Sequence, residues 1–154
     1  MLAAGGPDLL QECAALGNCE EGDAKLTRAY RLPACHVIHT VAPVWRRGYD
    51  GEETRLAECY RRCFELAEQQ GCRTMAFPSL GTGGHGCPGE WAAGVAVRAI
   101  ASALGRAAAI ERVTVVCYDR ATFECYRVAM RKLVGESHPA DPGEPDPPAD
   151  RPRA

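Results

Sequence analysis

The chain has 154 residues, of which 46% are hydrophobic and 25% charged, and its formal net charge at pH 7 is −2. This length and composition predict one globular domain with a modest core. The nearly balanced charge gives no broad electrostatic reason to bind nucleic acid or an anionic membrane. No apolar run approaches the roughly 20 residues of a membrane-spanning helix, and residues 1–7 lack the features of a signal peptide. A membrane protein or a secreted protein is therefore disfavoured.

In chain order, helix and strand signals alternate through residues 1–136. Apolar residues at helical spacing indicate helices, and short runs rich in β-branched residues indicate strands. The pattern predicts helices over 7–16, 52–70, 88–103 and 121–133, and strands over 25–30, 35–41, 74–77 and 112–118. This alternation predicts an α/β layered protein in which at least part of the sheet is parallel.

The C-terminal residues 137–154 show no apolar periodicity. Six of the eleven prolines of the chain lie between Pro139 and Pro152. Such a segment cannot bury enough apolar surface to offset the entropy lost on ordering. We therefore expect one domain over residues 1–136, followed by a disordered, proline-rich tail over residues 137–154.

The nine cysteines are odd in number and scattered along the chain. Most lie in apolar periodic stretches, as Cys117 does, and no C-x-x-C pair occurs. Cys59 and Cys63 share a helix face, and His85 lies two residues before Cys87, but neither pair supplies four ligands at zinc spacing. The pattern favours reduced, partly buried thiols over a disulfide framework or a zinc site, and it is typical of a cytoplasmic protein.

The most informative segment is the glycine-rich loop over residues 79–88. Ligands of α/β sheets bind beyond the carboxyl ends of the strands, which directs attention to this loop and to residues 118–122. Its four glycines allow backbone N–H groups to converge, and the following helix N-terminus adds a positive dipole end. The spacing fits neither a P-loop nor a dinucleotide motif. Phosphate binding is favoured over a merely structural turn.

The same loop resembles a known family. The segment MAFPSLGTG at 75–83, followed by GCP at 86–88, is similar to the second ligand loop of macrodomains, which bind ADP-ribose. Further segments resemble the family in the same order: GPxLLxEC at 6–13, VIHTVxP at 37–43 and VVCYD at 115–119. The resemblance covers roughly residues 3–133, and the ordered set is more specific than any single motif.

This resemblance implies a three-layer α/β/α fold and a set of ligand-binding residues. The diphosphate and the distal ribose of ADP-ribose would be held, mainly by backbone contacts, at Ser79, Leu80, Gly81, Thr82, Gly83, Gly84, His85 and Gly86. His85 stands where the family often has an aromatic residue beside the distal ribose, and Tyr118 matches an aromatic residue that packs against the nucleotide. An exposed loop histidine and a core-edge tyrosine are the structural alternatives for these two side chains.

The resemblance also implies missing parts. In macrodomains, strands precede the first helix and bring an aspartate that recognises adenine, an Asn-Ala-Ala-Asn segment and a glycine-rich first loop. That loop carries catalytic function in the hydrolase branch, and this chain begins, at residues 1–6, where the loop should be ending. We therefore expect an N-terminally incomplete sheet with unpaired strand edges, and we assign no catalytic residue.

The function implied is binding of ADP-ribose or its derivatives, within the branch that hydrolyses ADP-ribosylated proteins or deacetylates O-acetyl-ADP-ribose. No cofactor and no metal are expected. A non-catalytic ADP-ribose-binding module and an inactive partial domain are the alternatives. The expected partner is ADP-ribose or an ADP-ribosylated protein, without nucleic acid or membrane, and the chain is expected to be a monomer.

Several conspicuous side chains are better explained by structure than by chemistry. His39 is expected to be a buried histidine satisfied by the backbone, and Trp45 and Trp91 are expected to pack in the core. Glu90 suits the first turn of a helix, and Asp119 is expected to cap the last helix. The spacing of residues in the sequence indicates neither a Ser-His-Asp triad nor a Cys-His nucleophile.

Overall fold

A computed structural model describes residues 2–136, with side chains from Ala4 to Gly135. Its elements in chain order are α1 (Leu2–Gly5), α2 (Pro7–Ala15), β1 (Ala24–Arg28), β2 (His36–Thr40), α3 (Glu52–Gln69), β3 (Thr74–Pro78), α4 (Gly89–Leu104), β4 (Arg112–Val116) and α5 (Arg120–Glu136). The predicted order of helices and strands is confirmed, and the short α1 is additional. The predicted tail over 137–154 lies outside the described residues.

The four strands form two separate pairs. β1 and β2 are antiparallel, with Ala24 opposite Thr40, and β3 and β4 are parallel, with Thr74 beside Arg112. No ladder joins β2 to β3 within residues 2–136. The unpaired strand edges expected from the sequence are therefore present in this part of the chain.

Contacts at both ends of the β1–β2 ladder show which backbone groups face away from it. Ala29 N donates to Cys35 O (3.3 Å), and Val41 N donates to Asp23 O (3.4 Å). Bonded and non-bonded residues alternate along an antiparallel pair, so the N–H and C=O groups of Ile38 point away from β1. No described backbone group pairs with them.

Three layers are present around the β1–β2 pair. On one face of this pair, Ala24 packs in the main core with Leu56 of α3. On the opposite face, His39 contacts Cys13 of α2. The predicted α/β/α layering therefore exists here, with α2 and α3 on opposite sides of the sheet.

Within residues 2–136, only one of the two faces of the β3–β4 pair is covered. Phe77 of β3 is buried against α3, with its ring centroid 5.1 Å from that of Tyr60 and 6.1 Å from that of Phe64. Ala76 and Val116, which point to the other face, are exposed. The core thus lies between this pair and the helices α3 and α4.

Helix α4, which follows the loop after β3, packs against α3. Helix α4 presents small side chains to α3, among them Ala92 and Ala96, which are fully buried. Tyr60 of α3 is also buried, and its hydroxyl lies against the backbone of Leu80 at the start of the glycine loop. No helix among residues 2–136 combines the length and apolar character that crossing a membrane requires.

Candidate functional site

The candidate site lies at one edge of the β3–β4 pair. Because Pro78 lies beside Val116 in the parallel register, residues 79–88 and 117–119 leave the sheet at the same edge, which is formed by the carboxyl ends of β3 and β4. The segment that follows β2 also reaches this edge, where Trp45 N donates to His85 O at 2.9 Å. The structure therefore brings together the two segments indicated by the sequence and adds a third.

The glycine loop is closed by two of its own hydrogen bonds. Gly86 N donates to Gly83 O, and Cys87 N donates to Gly81 O, each at 3.0 Å. By contrast, the N–H groups of residues 81–85 donate to no group among the described residues. A closed loop with a run of unengaged N–H groups is suited to an anion that carries several acceptor oxygens.

Two glycines of the loop are required by the backbone, and two leave open space. Gly81 has φ +80°, and a Cβ there would lie 2.9 Å from Cys87 Sγ. Gly86 has φ +72°. Gly83 and Gly84 are not among the glycines with positive φ, and a Cβ on either would meet no atom of the described residues within 4 Å. The first pair shapes the turn, and the second keeps its outer surface accessible.

The loop leads directly into the N-terminus of α4. The residue before this helix is Pro88, and no side chain among residues 4–135 caps the first N–H groups. Glu90 lies in the first turn, where the helix dipole favours an acid, as the sequence predicts. The uncapped N-terminus adds positive partial charge beside the loop.

Ser79 supplies a side-chain donor at the base of the loop. Its carbonyl oxygen accepts a hydrogen bond from Thr82 Oγ1 at 3.0 Å. Its own Oγ is buried and has no hydrogen-bond partner among the described residues. A buried hydroxyl without a partner is costly, and a ligand oxygen placed here would satisfy it.

His85 is held at both its ring and its backbone. Its Nδ1 lies 2.6 Å from Ala42 O, and its carbonyl oxygen accepts the Trp45 N–H. A carbonyl oxygen can only accept, so Nδ1 carries a proton and the neutral ring keeps Nε2 as an acceptor. The alternative of an exposed loop histidine is wrong, because the side chain is half-buried and bonded.

The segment after β2 is organised by Glu52, which the sequence did not single out. The fully buried carboxylate accepts N–H groups from Arg46 (2.7 Å) and Gly48 (3.0 Å) at Oε1, and from Asp50 (2.7 Å) at Oε2. Burial alone would raise the pKa of the Glu52 carboxyl, but these donors and the N–H of Glu52 itself lower it to about 2. The carboxylate thus fixes the turn over residues 46–50 by accepting these backbone N–H groups.

Trp45 and Trp91 join this segment to α4. Their ring centroids are 4.6 Å apart at an interplanar angle of 57°. Both side chains pack against the core cluster, so their predicted packing role is confirmed. The pair lies beside the glycine loop, because Trp45 N also donates to His85 O.

At the end of β4, Tyr118 is fully exposed. The alternative of an ordinary core-edge tyrosine is therefore wrong, and packing against a nucleotide stays a prediction.

Asp119 caps α5 as expected, since its Oδ1 accepts the Thr122 N–H at 2.7 Å. This backbone hydrogen bond lowers the pKa of the Asp119 carboxyl.

His39 differs from its sequence-based expectation. Its Nε2 lies 2.9 Å from Thr27 Oγ1 and 3.5 Å from Cys13 Sγ, so its partners are side chains rather than backbone groups. The three residues come from β2, β1 and α2, and no local spacing could have revealed the cluster. Within the described part of the chain, no three His, Cys, Asp or Glu side chains form a group that could hold a metal ion.

Comparison with known proteins decides the family. Residues 1–96 match the model of the Macro domain. The chain belongs to the macrodomain family. This macrodomain is 46% identical over 127 residues to a macro domain-containing protein of Chlorobaculum tepidum. The aligned residues cover 82% of this chain and 74% of the relative.

Two further similarities bear on the ligand. An O-acetyl-ADP-ribose deacetylase of Pantoea vagans is 40% identical over 127 residues, which cover 80% of this macrodomain and 74% of the relative. A variant of the Oceanobacillus iheyensis macrodomain, solved with ADPR, superposes with a TM-score of 0.81 at 31% identity. That match covers 86% of this chain and 74% of the other.

Proposed function

We propose that this macrodomain binds ADP-ribose, with the diphosphate on the loop N–H groups and the distal ribose beside His85. The observation that carries the proposal is the run of unengaged N–H groups over residues 81–85, next to the uncapped N-terminus of α4. Phosphate oxygens accept hydrogen bonds and do not donate them when ionised. A cradle of donors with open space at Gly83 and Gly84 matches that requirement.

The remaining residues proposed for the site add specific contacts. Ser79 Oγ would donate to a phosphate oxygen, which would remove the cost of its missing partner. Nε2 of His85 would accept a hydrogen bond from a ribose hydroxyl, because Nδ1 is occupied by Ala42. Tyr118, fully exposed at the same edge of the sheet, would cover the nucleotide.

We further propose that the protein is a hydrolase of ADP-ribose derivatives, acting on O-acetyl-ADP-ribose or on ADP-ribosylated protein. The named deacetylase relative supports this reaction class. Hydrolysis would proceed by holding a water molecule against the distal ribose, with the loop N–H groups stabilising negative charge and no cofactor. No catalytic side chain is assigned. We also propose a cytoplasmic monomer whose domain extends over residues 1–136.

The test is calorimetry of the full chain with ADP-ribose, with ADP as the comparison ligand that lacks the distal ribose. Binding of ADP-ribose that is stronger than binding of ADP supports both parts of the proposed site. The absence of binding to either ligand would overturn the proposal and favour an inactive partial domain. A turnover assay with O-acetyl-ADP-ribose then separates the hydrolase from a non-catalytic binding module.

A further inference from the structure

The cluster of Cys13, Thr27 and His39 lies outside the glycine loop and the edge of the sheet that carries it. Cys13 lies on α2, Thr27 on β1 and His39 on β2. His39 Nε2 is 3.5 Å from the Cys13 sulfur and 2.9 Å from the Thr27 hydroxyl oxygen. A thiol within hydrogen-bond reach of an imidazole is the pairing that activates a nucleophile, and here the thiol and the Thr27 hydroxyl meet at the same ring nitrogen.

The Thr27 hydroxyl allows His39 to accept a proton. Thr27 is fully buried, and His39 Nε2 is the one partner of its Oγ1 among the described residues. The unprotonated Nε2 has one lone pair, which accepts from either the Thr27 hydroxyl or the Cys13 thiol. Once Nε2 has taken the thiol proton, the hydroxyl can rotate and accept from it. Both protonation states of the imidazole are therefore compatible with a satisfied Thr27.

Two charged side chains flank the cluster. Glu12 precedes Cys13 on α2 and raises the pKa of His39, which burial lowers. Lys25 of β1 lies directly opposite His39 in the ladder, but its Nζ is directed to the carbonyl oxygens of Leu16 and Asn18. Burial is the larger effect, so the pKa of His39 lies below its ordinary value. The ring is neutral near neutral pH, although it is a weaker base than a free imidazole.

Cys13 differs from the other described thiols in having an imidazole partner. Within residues 2–136, it is the one cysteine with a hydrogen bond to a histidine, and it is partly exposed. Burial raises the pKa of many of the others, namely Cys19, Cys59, Cys63, Cys72, Cys87 and Cys117. For Cys63 the pKa is raised to about 12. These thiols are poor nucleophiles at neutral pH.

We propose that Cys13 is a modification site for low-molecular-mass disulfides, with His39 as its base. His39 Nε2 removes the thiol proton, the Cys13 sulfur attacks one sulfur of the disulfide, and the S–S bond of that disulfide breaks. Its second sulfur leaves as a thiolate, which takes up a proton. The product is a mixed disulfide on Cys13 and one free thiol, so neither an additional oxidant nor an additional reductant is needed.

The test is the reaction of the full-length protein with oxidised glutathione, with the site and rate of modification determined by tandem mass spectrometry. Cys35 is the internal control, because it is exposed and has no imidazole partner among the described contacts. At about pH 7, Cys13 is expected to react about five- to tenfold faster than Cys35, despite its lower exposure. In the His39→Gln variant this ratio is expected to fall to about one or below, because Cys13 is less exposed than Cys35.

A Cys13 rate no higher than that of Cys35 in the unmodified protein would overturn the proposal. So would an unchanged ratio in a folded His39→Gln variant. If that variant does not fold, the pH dependence in the native protein decides. A ratio of Cys13 to Cys35 rates that rises as the pH is lowered from about 9 to 7 supports the base, and a constant ratio contradicts it.

Discussion

The imidazole of His85 donates a 2.6 Å hydrogen bond from Nδ1 to the carbonyl oxygen of Ala42. This bond connects the glycine loop after β3 to the segment after β2, although no ladder joins the two strands in the described residues. The reverse bond, from Trp45 N to His85 O, makes the connection double. The position of the loop therefore depends on a segment more than 30 residues away in sequence.

Replacement of His85 by phenylalanine tests this connection. The His85→Phe variant keeps an aromatic ring but loses the donor to Ala42, which is worth about 0.5–1.5 kcal/mol for one hydrogen bond. We expect the affinity for ADP, which lacks the distal ribose proposed to contact Nε2, to fall about two- to tenfold, measured by calorimetry. Unchanged affinity in a variant with a native thermal midpoint would show that the loop is positioned without this bond.

The Gly83→Val variant tests the loop as the diphosphate site. The backbone of Gly83 does not have positive φ, and a Cβ there meets nothing within 4 Å, so the variant is expected to fold. The branched side chain would block the approach of a phosphate to the N–H groups, at a cost of at least about 2 kcal/mol, or roughly 30-fold in affinity.

The matched control for this variant is Gly135→Val in α5, where an added Cβ also meets nothing within 4 Å. This control is expected to bind ADP-ribose like the unmodified protein. Equal affinity of the two folded variants would remove the loop from the binding site.

Gly81→Ala tests the backbone requirement of the turn. Its φ of +80° and the 2.9 Å approach of an added Cβ to Cys87 Sγ both oppose a side chain. We expect the free energy of unfolding to fall by about 1–3 kcal/mol, measured by urea denaturation. Repeating the change in a Cys87→Ala background removes the contact and leaves the strain of φ, so part of the loss should remain. Undiminished stability of Gly81→Ala would contradict the φ described here.

Glu52→Gln tests the buried carboxylate. Because the folded-state pKa of about 2 lies below the ordinary 4.5, the contribution of this group is complete above about pH 4.5 and is lost as the pH falls towards 2. Urea denaturation at a series of pH values should therefore show lower stability of the variant at neutral pH and a smaller loss over this acid range.

The control for this variant is Glu53→Gln, at the neighbouring exposed position, where the ion pair with Arg98 lies in solvent. Surface pairs contribute little, so a change within about 0.5 kcal/mol is expected. Identical acid profiles for Glu52→Gln and the unmodified protein would show that the turn over residues 46–50 is held by other contacts.

Amide hydrogen exchange tests the open edge of β2. The N–H groups of Val37 and His39 face β1, whereas those of Ile38 and Thr40 point away from it. We expect the second pair to exchange at least about tenfold faster than the first. Equal protection of all four amides would mean that a further strand occupies this edge in solution.

The order of the elements is predictable from the sequence because each element carries a local signal. The β-branched run in β2 and the apolar face of α3 are patterns of neighbouring residues. The glycine loop was also identified locally, but the sign of φ at each glycine was not, because it follows from how the loop closes on itself. Positive φ belongs to Gly81 and Gly86 and not to Gly83.

The residues missed in the sequence depend on contacts between distant segments. Glu52 appears in the sequence as an acid at the start of a helix, yet it is buried against a turn that its carboxylate orders. The partners of His39 come from two other elements, 12 and 26 residues away. A residue whose role is set by tertiary packing leaves no periodic trace, so only coordinates could reveal these roles.

Trp45 and Trp91 are the two tryptophans of the chain, and their rings are 4.6 Å apart. Trp45 follows β2 and Trp91 lies on α4, between β3 and β4, so each indole is carried by a segment that adjoins a different strand pair. Electronic transitions of two indoles at such a distance couple, and the coupling depends steeply on their separation and mutual angle. The circular dichroism of this tryptophan pair therefore reports, without any added label, the relative position of the β1–β2 and β3–β4 pairs.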